Sequence, residues 1–215
     1  MGLALLAITP TFFAGCSSEP VGGNEPERLY KDALDDINSD HYQIAIEKLK
    51  LIRNKFPYSS FATEAQLKIA DVYYLQESYA EAALAYEAFR DLHPKHEKVP
   101  YAMFRAAKSY YNDAPGTVAR DLSTVQKALD AYNEFLKRFP QAPEAAEARK
   151  DLAECRRLLA EKELYIGDFY FKRDFYDSAK PRYQKILNLY PETEAAKQAQ
   201  EKLAKIDEKA QAKKK

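Results

Sequence analysis

The chain has no tryptophan, two cysteines, three histidines and only six glycines among its 215 residues. So few glycines leave no Gly-rich loop to cradle a phosphate, and the sequence has neither an HExxH nor a paired CxxC. No serine, histidine and aspartate stand in a recognisable nucleophile context. Catalysis is therefore not expected. His93 and His96 have a spacing that would suit a metal, but they flank Pro94 and Lys95 with no third ligand nearby, and they read as surface residues. An excess of charge of one sign is missing too. Thirty-three Lys and Arg balance 33 Asp and Glu, without the basic surplus a nucleic-acid binder usually carries. What is abundant is 46% hydrophobic residues, 31% charged residues and 16 tyrosines. That is ample for one folded body of modest size, and its aromatics suit helix packing and a peptide-binding surface alike.

One punctuation mark appears four times: Phe56-Pro57, His93-Pro94, Phe139-Pro140 and Tyr190-Pro191. Twelve positions before each proline stands an alanine, Ala45, Ala82, Ala128 or Ala179. Four residues after it comes Leu49, Tyr86, Tyr132 or Tyr183, and three further on Ile52, Phe89, Phe135 or Ile186. This spacing is one face of a helix. The second and fourth units extend the match backwards, with Ala70 and Tyr73, then Gly167 and Tyr170, twelve and nine positions before their alanines. Two antiparallel helices approach closely only where both present small side chains, so Ala70 is expected against Ala82 and Gly167 against Ala179. A period of about 34 residues with this layout resembles the tetratricopeptide repeat. The resemblance implies an all-α superhelix of helix-turn-helix pairs, about nine helices in all, with one long central helix.

The first unit covers residues 26–57, with Leu29, Ala33, Leu34 and Ile37 facing inward on its first helix and Ile44, Ala45, Leu49 and Ile52 on its second. In the second unit Ser60 is the expected N-cap of a helix to residue 76, and its partner covers 79–93. In the third, Ala107 and Tyr110 match the repeat, but Ala128 comes nine residues late. The surplus, 112–123, contains Pro115-Gly116 and is expected to protrude as a loop before a helix over 124–139. Pro143 then reads as the first residue of an unbroken helix to residue 173, about 45 Å long. Thr193 caps a last helix to residue 209, whose Glu, Lys and Gln suit the cap a solenoid needs. Cys155 lies between Leu152 and Leu159 and reads as a small packing residue. The chain divides into residues 1–15, 16–25, 26–140 (units one to three) and 141–215 (long helix, fourth unit and cap).

Residues 3–13 form an apolar run too short to span a bilayer, ending in Phe13-Ala14-Gly15-Cys16-Ser17-Ser18. This resembles the lipobox of bacterial lipoprotein signal peptides, although Phe13 stands where Leu is usual and no Lys or Arg precedes the run. The resemblance implies cleavage before Cys16, a covalent lipid on Cys16, and sorting to the outer membrane, with which Ser17 is compatible. Residues 17–25, with Pro20, Gly22, Gly23 and Asn24, read as a flexible tether reaching about 17 Å. No other cofactor is expected. The terminal Lys213-Lys214-Lys215 reads as a solvated end.

In tetratricopeptide folds the first helix of each pair lines the concave side. Mapping its free positions gives Tyr30, Lys31 and Leu34, then Leu67, Lys68, Asp71 and Tyr74, then Tyr101, Phe104, Arg105, Lys108 and Tyr111. Aromatics alternate with cations there, which suits an extended peptide with aromatic side chains and a free carboxylate.

Leader, four to five repeats, looped third unit, long helix and the endings Asn54-Lys55-Phe56-Pro57, Lys137-Arg138-Phe139-Pro140 and Asn188-Leu189-Tyr190-Pro191 together resemble the ComL family. These are the BamD-type lipoproteins of the outer-membrane β-barrel assembly (BAM) complex. The resemblance implies a lipid-anchored scaffold on the periplasmic face of the outer membrane. It would bind a BamA-type insertase through its C-terminal half and unfolded barrel precursors near its N-terminal half, alongside the other BAM lipoproteins. The substrate signal in that family is a C-terminal strand ending in an aromatic residue. This chain has one helix in its final unit where the family often has two. Two other readings share the anchor and fold: a pilotin-type lipoprotein for secretin and pilus assembly, and a lipoprotein associated with a cell-wall enzyme.

Overall fold

The computed structural model describes residues 25–212, so the leader, Cys16, most of the tether and the last three lysines lie outside the described residues. Among the described residues there are nine α-helices and no strand: α1 Glu25–Asn38, α2 Tyr42–Lys55, α3 Ser60–Leu75, α4 Tyr79–Leu92, α5 Val99–Asn112, α6 Ser123–Arg138, α7 Ala145–Phe171, α8 Tyr176–Leu189 and α9 Glu194–Ala212. Each helix packs on the next, and α1 also touches α3, α5 touches α7 and α7 touches α9. Odd-numbered helices thus form a layer of their own, as in a tetratricopeptide superhelix of helix-turn-helix pairs.

The repeat spacing decides what is buried. Ala45, Ala82, Ala128 and Ala179 are fully buried, and so are all eight of the larger residues four and seven positions after them. Each even-numbered helix from α2 to α8 ends alike. Phe56, His93, Phe139 and Tyr190 donate their N–H groups to the carbonyls of Ile52, Phe89, Phe135 and Ile186, and the following proline cannot continue the helix. Three of the turns inside pairs also share one geometry. Asp40, Glu77 and Asp174, each five positions before its aligned alanine, take left-handed backbone angles with φ of 59°, 59° and 60°. The N–H of the next residue then reaches back to the helix just finished, His41 to Asp36 at 2.8 Å, Ser78 to Tyr73 at 3.0 Å and Phe175 to Tyr170 at 3.0 Å. This is a Schellman ending, which satisfies carbonyls that the helix leaves open.

Several details depart from the sequence reading. The N-cap of α3 is Ser59, whose hydroxyl accepts the Phe61 N–H at 3.2 Å, not Ser60. Ile44 is 48% exposed while Ile46 is 1% exposed, because α2 turns the position after its aligned alanine toward Ala65, Ile69 and Val72 of α3. Pro143 lies outside the long helix. The Ala145 N–H bonds the Ala142 carbonyl at 2.9 Å, so Pro143 and Glu144 form a turn and α7 has 27 residues. Its length is about 40 Å. The small residue Gly167 also admits the Tyr183 ring, and a Cβ there would lie 2.6 Å from Tyr183 Cε1.

The surplus segment before α6 does not protrude. Leu122 is buried, Val118 packs against the main apolar cluster, and Lys162 of α7 donates to the carbonyls of Ala119 and Arg120 at 3.2 and 2.8 Å. That cluster runs from Ala83 to Ile206 and includes Cys155. His93 and His96 are half-buried rather than on the open surface, with their rings 5.1 and 5.2 Å from Phe89. His93 Nε2 lies 3.1 Å from Gln66 Oε1, and burial followed by repulsion from His96 lowers its pKa. At the far end Thr193 caps α9 as expected, accepting the Ala196 N–H at 3.3 Å.

Candidate functional site

Of the mapped groove residues, Lys68 and Tyr101 meet on the carboxylate of a third, Asp71, where Tyr86 of α4 joins them, and Arg105 and Tyr74 stack beside them. Asp71 Oδ1 accepts the hydroxyls of Tyr86 at 2.8 Å and Tyr101 at 2.9 Å, while Oδ2 accepts the Lys68 ammonium at 2.9 Å. The Arg105 guanidinium lies 3.5 Å above the Tyr74 ring, with the Tyr101 and Tyr86 rings 5.8 and 6.0 Å away. Tyr74 in turn accepts a hydrogen bond from Asn112 at 2.8 Å. α3 and α5 place these groups because Asp71 and Lys108, like Asp168 later in the chain, each follow the small residue that brings a helix pair together. Burial, then the Asp71 charge, pushes the Tyr101 hydroxyl up to about 12, and the same two causes raise Tyr86 further. Both phenols are therefore neutral donors that fix Asp71 as an acceptor.

Beside this cluster lies an open cleft of about 220 Å³ between α3 and the start of α5, lined by Glu64, Leu67, Lys68, Asp71, Lys98 and Tyr101. Its floor is rigid and polar, and its rim carries both signs of charge. Lys98 and Glu64 were not among the residues read from the sequence. Lys98 lies just before α5, where the helical period gives no facing.

One mapped residue leaves the groove for the core. Phe104 is 5% exposed, with its ring 6.2 and 5.8 Å from Tyr132 and Phe135, whereas Leu67, 6% exposed, still lines the cleft. Repeat position gives a facing only, and a large apolar group such as Phe104 gains more from the neighbouring helices than from water. Tyr30 is half-buried against Phe61, ring to ring at 5.6 Å, and Lys31 is exposed. Lys108 and Tyr111 belong to a second node on α7. Lys108 donates to Asp151 at 2.6 Å and Glu147 at 2.9 Å, and its ammonium lies 5.5 Å from the Tyr111 ring. Burial works against the Lys108 charge, but these two hydrogen bonds outweigh it and its pKa is raised. Lys68, Arg105 and Lys108 thus already hold partners within the chain. The surface offers aromatic faces and fixed hydrogen-bonding groups more than bare positive charge.

A separate exposed patch lies near the end of α7. Tyr165 is 53% exposed and Phe169 47% exposed, and the Arg173 guanidinium lies 3.7 Å above the Phe169 ring. A cleft of about 480 Å³ opens there between these residues, Lys172 and Val118 of the folded-back loop.

A helical-repeat scaffold with two aromatic and charged surfaces, one across α3 and α5 and one on α7, is the class of molecule these observations define. A family model described as YfiO, outer membrane lipoprotein, matches residues 23–215, and the chain belongs to that family. It is 30% identical over 208 residues to outer membrane protein assembly factor BamD of Vibrio cholerae, across 92% of this chain and 86% of the relative. It is 29% identical over 202 residues to the protein of the same name from Neisseria gonorrhoeae, across 90% and 76%. The corresponding Pasteurella multocida protein is 26% identical over 204 residues, across 90% and 78%.

Proposed function

We propose that this chain is a non-catalytic assembly factor for outer-membrane β-barrel proteins, holding an incoming precursor on α3 and α5 and a BamA-type insertase on the α7 to α9 half. Cys16 carries the lipid that anchors it to the periplasmic face of the outer membrane, next to the other BAM lipoproteins. The observation that carries the reading is the cluster beside an open cleft in which Tyr86, Tyr101 and Lys68 bind Asp71 and Arg105 stacks on Tyr74. An extended strand presents side chains alternately to two faces, so one face of an unfolded barrel strand lays its aromatics on the half-buried Tyr74 and Tyr101 rings while Lys98 meets its terminal carboxylate. The aromatic and cationic patch of Tyr165, Phe169 and Arg173 is of the kind that anchors protein partners. No cofactor takes part beyond the lipid on Cys16.

A titration with a peptide copied from the aromatic end of a barrel protein tests the groove. Alanine at both Tyr74 and Arg105 weakens binding by about tenfold or more while the protein still melts cooperatively. An unchanged affinity overturns the assignment. The docking half is tested by purifying the acylated protein from detergent-dissolved outer membranes. A BamA-type insertase is recovered with the wild type and lost with Phe169→Ala, Arg173→Ala; equal recovery sinks that part of the reading.

A further inference from the structure

The outer face of α4 differs from the same face in every other repeat. Positions two before and two, six and ten after the aligned alanine lie on the outer face, exposed at every one except the partly buried Leu51. They hold Gln43, Glu47, Leu51 and Lys55 on α2, Gln126, Asp130, Glu134 and Arg138 on α6, and Asp177, Pro181, Lys185 and Leu189 on α8. On α4 they are Ala80, Leu84, Ala88 and Leu92, all exposed, with Leu84 at 63% and Leu92 at 66%. A lone exposed leucine needs no explanation. Four apolar residues at successive turns, on the one helix of four that lacks charge there, form a continuous seam.

The rim of that seam is acidic. Glu81 and Asp91 are exposed beside it, and Glu87 is held on its edge by the Tyr110 hydroxyl at 3.0 Å. Arg90, the cation of this edge, is taken by Asp91 at 2.8 Å and by Glu134 of α6 at 3.7 Å. We infer that the α4 outer face docks an amphipathic helix of a partner protein, whose apolar stripe is flanked by Lys and Arg. Alternating alanine and leucine on one row let a second helix approach closely at Ala80 and Ala88 while Leu84 and Leu92 enter its grooves. The acidic rim selects cationic flanks, and it repels both an anionic lipid surface and the like rim of a second copy. The groove and the α7 patch play no part in this inference.

Two designed helical peptides with the same leucine and alanine seam, one flanked by Lys and the other by Glu, are titrated into the full-length protein. The Lys-flanked peptide binds about tenfold more tightly than the Glu-flanked one, and Leu84→Gln, Leu92→Gln removes about tenfold of that affinity. Asp130→Asn at an equivalent position on α6 leaves it unchanged. Glu81→Lys, an exposed site that makes folding failure no obstacle, reverses the preference for flanking charge. Equal affinity for both peptides overturns the inference, as does binding insensitive to the α4 substitutions. Sedimentation of the protein alone supplies a further arm: a dimer dispersed by Leu84→Gln, Leu92→Gln assigns the seam to a second copy and overturns the partner helix.

Discussion

Tyr132 donates its hydroxyl to Asp151 at 2.8 Å, reaching forward nineteen residues into the next helix, whereas Tyr86 and Tyr183 reach back fifteen residues to Asp71 and Asp168. The reversal has a cause in the third unit. The position after the small residue is Asp71 in the second unit and Asp168 in the last, but Lys108 in the third. With no acid behind it, Tyr132 takes Asp151 from α7, and Lys108 binds the same oxygen at 2.6 Å. One carboxylate, 6% exposed, therefore fastens α5, α6 and α7 at the point where the regular repeat gives way to the long helix.

Removing either donor from this node leaves a buried acceptor short of partners. Tyr132→Phe is expected to lower stability by about 1 to 2 kcal/mol and Lys108→Met by about 2 to 3 kcal/mol, since the second also leaves a charge uncompensated. Urea denaturation of both single variants and the double variant checks this. Because the two donors share one oxygen, the double loss should fall short of the sum; strict additivity would show that the node does not act as a unit.

Glu77→Gly should stabilise the protein. Glu77 holds φ at 59°, a conformation that disfavours a residue with a Cβ by about 1 to 2 kcal/mol. Glycine gives back part of that through its freer unfolded chain, so a net gain of about 0.5 to 1 kcal/mol is expected. A lowered melting temperature would contradict the strain.

The fate of the other turns shows what was readable in the sequence. Alanine, aromatic and proline positions specified every buried ladder residue, because a helix pair can close only around small side chains at fixed spacing. Asp71, Tyr74, Tyr101 and Arg105 were mapped to one surface, and they do meet there. Their partners were harder to read. The fifteen-residue step from Asp71 to Tyr86, repeated from Asp168 to Tyr183, was present in the sequence as a pattern, yet the nine-residue surplus hid its counterpart at Lys108. Phe104 shows that repeat position says which way a residue points, not how far a neighbouring helix covers it. Ser59 and Ser60 offer the same cap chemistry, and only backbone geometry chooses between them.

Gly167→Ala and Gly116→Ala separate two kinds of glycine. An alanine Cβ at 167 would sit 2.6 Å from the Tyr183 ring, which is fully buried and held at its far end by Asp168 at 2.7 Å. The ring has nowhere to go. Alanine gains about 1 kcal/mol of helix propensity, but overpacking of up to about 3 kcal/mol outweighs it, for a net loss of about 1 to 2 kcal/mol. At Gly116 nothing lies within 4 Å, and a change within about 0.5 kcal/mol is expected. Thermal melts of the two variants give the comparison directly.

High pH should weaken the fold through Cys155. Burial, reinforced by Asp151 and then Glu154, pushes its thiol up to about 12, against 9.0 for an ordinary thiol. The unfolded chain ionises first, so the stability this group contributes is complete below pH 9.0 and is lost as pH rises toward 12. The slope is about 1.4 kcal/mol per pH unit, or about 2 kcal/mol by pH 10.5. Cys155→Ala should reduce the difference in urea stability between pH 8 and pH 10.5 by about that amount. The same burial predicts a thiol that reacts with a disulfide reagent only as fast as the protein unfolds. A fast reaction at pH 8 in the folded protein would refute both.

The folded-back loop offers a test that separates local order from global stability. Lys162 holds it by donating to two successive carbonyls, Ala119 and Arg120, while Leu122 and Val118 give it an apolar foot. Lys162→Gln removes the charged tie from a solvent-facing site and leaves the apolar foot in place. Melting should therefore shift little, by less than about 0.5 to 1 kcal/mol, because the bonds lost are exposed. Trypsin needs several residues of free backbone around its cut, and Arg120 offers a cleavage point only when the loop lifts. Limited proteolysis should then cut after Arg120 several times faster in Lys162→Gln than in the wild type, with a matching rise in amide exchange over residues 113–122. If the cut and the exchange stay at wild-type rates, Leu122 and Val118 alone hold the loop, and the lysine serves solvation rather than fastening.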